Sequence, residues 1–331
     1  MIKDKGKKVM KKIKNSILQI ILVATSVFTL ASCNSNDDVD LDKTLAESGI
    51  TITGDADCCS AEEALQVYNF LKTVKNIPEL NREIDGKYKV FAYSKTGTFV
   101  QGYNDIYFVA TKKSSGNYVK DFQVSNVTPL MYMTAMKMEH STPVATEVGE
   151  TNKAYKAVRH GWISFVMSSS DNGTWSLSYN FRVLKTEGKI ERQAITVNAL
   201  PSGQKWLNSF KIGSDVYHIS LVNPDEWQTG TNTIKAYITK KANVITTPWT
   251  PTDKKFTIEI TPTMPDMGHH TSPGNTPLLQ QSDNSYKGTI NLTMTGLWRI
   301  HLTVKDASGN VVAGGDNLKD GFSSLYFDVT I

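Results

Sequence analysis

The first apolar stretch of the chain is continuous, running from Ile17 to Leu30 behind Lys3, Lys5, Lys7, Lys8, Lys11, Lys12 and Lys14. A run this short, with a basic start and polar sequence after it, predicts a signal peptide over 1–32 rather than a membrane span. Residues 33–56 are polar and acidic and predict a flexible tether. The next apolar pattern has helical spacing: Ala64, Val67, Leu71 and Val74 form one stripe. It opens on the capping-box signature Ser60-Ala-Glu-Glu63 and stops before Pro78, so a capped helix is expected within 57–80. From Lys87 onward the period changes to two, in Tyr88–Tyr93, Asp105–Ala110, Trp162–Met167, Thr174–Val183, Phe256–Ile260, Tyr286–Met294 and Leu297–Val304. Short alternating runs broken by Gly, Asn and Ser predict an all-β chain of sandwiches.

The runs repeat. Gly102–Lys113 aligns without gaps on Gly230–Lys241, Thr128-Pro-Leu-Met131 on Thr261-Pro-Thr-Met264, and Met138-Glu-His140 on Met267-Gly-His269. Gly161–Met167 then aligns on Gly288–Met294, and Trp175 on Trp298. Self-similarity on this scale predicts two tandem β-sandwiches, 84–186 and 210–331, joined by a polar linker over 187–209.

Methionine is distributed unevenly over that repeat. Beyond residue 10 it stands only at 131, 133, 136, 138, 167, 264, 267 and 294, in two clusters. Core filling would scatter it. Met264-Pro-Asp-Met-Gly-His-His270, with Met294 and His301, gathers thioethers and imidazoles, which are ligands for copper more than for magnesium or calcium. The first copy offers Met131, Met138, His140 and Met167, with Met133 and Met136 in addition. It has Ser178 where the second has His301, which makes it the softer site, with His160 as an outlying ligand. Thioethers favour Cu(I), and imidazoles also admit Cu(II). His270, Cys58 and Cys59 are further candidate ligands. His218 reads as an ordinary strand residue.

Met-Pro-x-Met-x-His, then a strand beginning Tyr-x-Gly, then Met-x-Gly-x-Trp, resembles YtkA-like and FixH-like domains over roughly 212–306. Those are small extracytoplasmic immunoglobulin-like sandwiches associated with copper handling. The resemblance implies Met264, Met267, His269, Met294 and His301 as metal ligands and Trp298 as a packing residue. Leu30-Ala-Ser-Cys33 in turn resembles a bacterial lipobox, which implies cleavage before Cys33 and its diacylation. The acidic tether after it resembles the export signals of Bacteroidetes-type lipoproteins. The implied location is the outer membrane or cell surface, lipid-anchored, facing periplasm or exterior.

Charge changes the picture once the leader is set aside. The whole chain carries +4; without the seven Lys and one Asp of residues 1–32 it keeps 29 basic and 31 acidic residues, a net −2. No electrostatic case for nucleic acid survives. Cys58 and Cys59 are adjacent, and a bond between neighbours is strained. At a helix N-terminus their thiols suit metal or redox chemistry, or pairing between chains. No hydrolase, zinc-protease, phosphate-loop or dinucleotide motif is present, and Glu139 and Asp266, the carboxylates nearest the clusters, select no catalytic pair. The expected function is therefore non-enzymatic: copper sequestration or delivery, with a copper donor or acceptor protein as partner. The alternative is a surface lipoprotein whose sandwiches bind a glycan or protein without metal.

Overall fold

The structure, a computed structural model, describes residues 61–151, 156–315 and 323–331. The leader, Cys33, the tether, Cys58, Cys59 and Ser60 lie outside them. Helix α1, Ala61–Leu71, carries Glu62 and Glu63 in its first turn, where the helix dipole favours carboxylates. It is shorter than its apolar stripe: the chain leaves it through a turn closed on Asn69 and Phe70, and Val74 lies beyond.

Seven main strands build the first sandwich: β1 Tyr88–Ser94, β2 Gly102–Lys112, β3 Phe122–Met133, β4 Met138–His140, β5 Val158–Phe165, β6 Gly173–Val183 and β7 Thr186–Ile195. One sheet runs β1-β2-β5 with short strands at its margins, the other β7-β6-β3-β4. Alternation along β2 sends Ile106, Phe108 and Ala110 into the core between them and turns Tyr103, Asp105 and Tyr107 outward.

The second sandwich comprises β8 Leu207–Ile212, β9 Asp215–Leu221, β10 Gly230–Lys240, β11 Phe256–Met264, β12 His270–Thr271, β13 Leu278–Gln280, β14 Ser285–Leu292, β15 Leu297–Asp306, β16 Val311–Gly314 and β17 Tyr326–Thr330. Short β13 pairs with both β14 and β11, so one continuous sheet folds over and encloses its own core.

The stretch 187–209 is not a linker. Its first nine residues belong to β7, antiparallel to β6, with Ile190 and Ile195 buried. Being an edge strand, it turns most of its other side chains to solvent and reads as polar. At the other end the first core begins before residue 84, since Ile77 and Leu80 belong to it.

The aligned segments hold equivalent places. Ile106 pairs with Gly161 and Ile234 with Gly288; Gly102 pairs with Phe165 and Gly230 with Leu292. The sandwiches also pack face to face. Trp162 and Tyr103 on the outer face of β5 and β2 meet Tyr237 on the outer face of β10, with Trp162 and Tyr237 stacked at 4.4 Å. Ser164 and Ser220 hydroxyls lie 2.7 Å apart beside them. Helix α1 covers the rest of that outer face, burying Ala64 and Val67 against Val109, Tyr118 and Val158.

Candidate metal centres

Both methionine clusters sit at one end of their sandwich, built the same way. In the first, Met131 pairs across β3 and β6 with Trp175, and across β3 and β4 with His140; Met133 faces Met138. In the second, β11 pairs with β15 up to Thr263 opposite Arg299, one step short of Met264 opposite Trp298, and Met264 faces His270 on β12. Each tryptophan donates its indole N–H to a methionine carbonyl, Trp175 to Met167 at 3.0 Å and Trp298 to Met294 at 2.9 Å. The register makes His270, not His269, the counterpart of His140, a one-residue correction to the sequence alignment.

Met131 and Met264 are packing residues. They are 0% and 4% exposed and belong to the two cores. The glycine two positions before each tryptophan leaves room for them: a Cβ on Gly173 would stand 2.9 Å from the Met131 methyl, and one on Gly296 3.0 Å from the Met264 methyl. Met264 is the last residue of β11 and lies outside the turn that follows.

The turn itself is Pro265–Met267, a single 3₁₀ turn ended by Gly268 and His269, both at positive φ, with His269 N–H returned to the Met264 carbonyl at 3.0 Å. It holds Met267, His269 and His270 exposed within four residues. Met294, half-buried against the core, follows β14 in the loop before Trp298. In the first sandwich Met133 and Met138 are half-buried, while Met136 and Met167 are exposed.

The imidazoles differ in what their nitrogens can do. His140 is buried, edge-on to Trp175, with Nδ1 2.9 Å from the Ser141 carbonyl. A carbonyl only accepts, so Nδ1 carries the proton and Nε2 of the neutral ring holds the lone pair that a metal requires. His301 is arranged the other way. Its Nδ1 accepts from the Ser323 N–H at 3.0 Å, so Nε2 bears hydrogen and donates to Thr263 Oγ1 at 3.1 Å. Burial and the nearby Arg299 guanidinium push its pKa down to about 4. His301, a candidate ligand in the sequence, lies on the face of β15 opposite Trp298 and is only 3% exposed.

His160 is not near the cluster. It sits at the opposite end of β5 from Met167, stacked on Tyr107, with Nε2 2.7 Å from Asp105. Burial works against the Asp105 carboxylate, yet hydrogen bonds from His160, Tyr103 and Asn223 hold its pKa below the usual value. His218, read as a plain strand residue, stacks on Trp249 at 4.5 Å, and burial lowers its pKa to about 4. Glu139 is ion-paired with Arg192 across the sheet. Among the described residues no three His, Cys, Asp or Glu converge on a metal position.

The two clusters are far apart. Ser141, next to His140, donates to the Ile245 carbonyl, and Trp249 of that same segment stacks on His218, opposite Thr239. The second cluster starts two residues past Leu292, opposite Gly230. Thr239 and Gly230 lie near opposite ends of β10, about 30 Å of strand apart, so the clusters neighbour opposite ends of that strand.

No curated protein matches the chain. A family model does match part of it, the one described as YtkA-like, over residues 212–303. That span runs from the end of β8 into β15 and takes in the turn Pro265–Met267, Met294 and Trp298. Residues 212–303 of this chain are a YtkA-like domain.

Proposed function

We propose that the protein is a lipid-anchored, extracytoplasmic copper-binding protein that sequesters copper or hands it on, with one site per sandwich. The carrying observation is the β11–β12 turn, which presents Met267, His269 and His270 exposed within four residues of a YtkA-like domain. With Met294 they form the second site's donor set. Copper is the cargo, taken as Cu(I) by thioethers and admitted as Cu(II) by the imidazole pair.

The shared register supports reading the first sandwich as a second copy of the same domain. Its donors are Met133, Met138 and His140 Nε2, with Met136 and Met167 at the rim. Met131, Met264 and His301 are left out of both sets: two are wedged in cores, and the third spends both nitrogens on the fold. The sites neighbour opposite ends of β10, so delivery passes to a second protein rather than from site to site.

The full chain with its thiols alkylated, titrated with Cu(I) against a competing chelator, binds two equivalents on this reading; no tight binding rejects it. The anchor has its own test. Cys33→Ser moves the protein from membranes to the soluble fraction, and unchanged partitioning removes the anchor.

The packing of Met131 and Met264 favours the second reading, a metal-free surface binding module, for those two residues. That reading has a surface to use: an open cleft of about 400 Å³ on β3, β6 and β7, lined by polar side chains including Gln123, Asn180, Arg182 and Lys189. Glycan binding without copper would support it.

A further inference from the structure

We infer that Met267 is a methionine-sulfoxide site through which an oxidant weakens Cu(I) binding at the second sandwich. The inference rests on the copper reading of that sandwich. Its structural basis is the contrast between methionines that are close in sequence. Met267 is 57% exposed, the most exposed methionine described, whereas Met264, three residues earlier, is 4% exposed. The first sandwich repeats the contrast, with Met136 at 56% and Met131 at 0%. Each cluster therefore pairs a sulfur that an aqueous oxidant reaches with one that it does not.

The step is a two-electron oxygen transfer from a peroxide. The Met267 sulfur attacks one peroxide oxygen, the O–O bond breaks, a sulfoxide S–O bond forms and water leaves. Sulfur is oxidised and the peroxide reduced. The product is polar and has lost the soft thioether lone pair that selects Cu(I). Because Met267 lies in an exposed turn and contributes nothing to the core, the oxidation leaves the fold standing. The sandwich keeps His269, His270 and the half-buried Met294, so what it loses is one of its two thioethers and with it Cu(I) affinity. Oxidation of Met264 would do the reverse, placing a polar group against Trp298 and costing stability.

The test uses the full chain with its thiols alkylated, treated with graded hydrogen peroxide, mapped by peptide mass spectrometry and titrated with Cu(I) before and after. Met267 oxidises well before Met264, the unfolding temperature holds, and Cu(I) affinity at one of two sites falls by about tenfold or more, at least what loss of an outer-shell partner costs a metal site. Methionine sulfoxide reductase restores it. Met267→Leu is weakened at the same site beforehand and shows no further loss there. Equal oxidation of Met264 and Met267, or unchanged Cu(I) affinity after full conversion of Met267, overturns the inference and leaves the copper reading intact. No Cu(I) binding in the untreated chain overturns the copper reading and the inference together.

Discussion

Met264 and Met267 stand three residues apart and share a residue type and a family motif, but not an environment. Met264 fills the space that Gly296 vacates under Trp298; Met267 faces water. Removing the buried side chain leaves a cavity, so Met264→Ala loses ~2–5 kcal/mol of stability. Met267→Ala, with no such role, stays within ~0.5 kcal/mol of the parent. Chemical denaturation of the two variants separates them, and comparable losses would contradict the packing assignment. At this scale the sequence showed which residues cluster but not which face water. Met-x-x-Met fits one exposed and one buried sulfur as well as two exposed ones, and only the end of β11 at Met264 decides between them. The orientation of His301 was half legible. Alternation put it opposite Trp298, but the segment at Ser323 that covers it is far along the chain.

Strand β15 carries Trp298 into the core and His301 out of it, and His301 ties this strand to Ser323 and to Thr263 of β11. That tie makes the element sensitive to acid. The folded-state pKa of His301 is about 4, against about 6.5 in the unfolded chain. Above pH 6.5 both states are neutral and the residue adds no pH dependence. Between about pH 6.5 and about 4 the unfolded chain binds a proton that the folded one refuses, so stability falls as pH falls. The loss reaches ~2–3 kcal/mol near pH 4 from this residue. His218, lowered for the same reason, adds to the slope. His301→Asn flattens the pH profile of denaturation midpoints between 6.5 and 4; an unchanged slope would contradict the assigned burial. Among the elements, the inward-alternating strands were legible from period alone. Strand β7 was not, because an edge strand with one buried side looks like a polar connector, and the short strands at Lys75–Asn76 and Arg82–Ile84 hold too few residues to show a period.

Among the described residues two sandwiches stack through Trp162, Tyr103 and Tyr237, with the methionine clusters toward opposite ends of β10. The internal repeat was visible in the sequence and the register matches it, whereas the stacking was not. Its sequence trace is aromatic residues at outward-facing positions of β2, β5 and β10. The stacking places the first cluster beside the junction between sandwiches, where Ser141 meets Ile245, and the second at the far end of β10. The central claim, that the exposed turn of the YtkA-like domain holds copper while the buried methionines hold the fold, is tested most directly by the triple variant Met267→Ala, His269→Ala, His270→Ala. Its Cu(I) stoichiometry under a competing chelator, measured beside its thermal unfolding, falls from two equivalents to one with the unfolding temperature unchanged. Two equivalents retained at the parent affinity would contradict the claim.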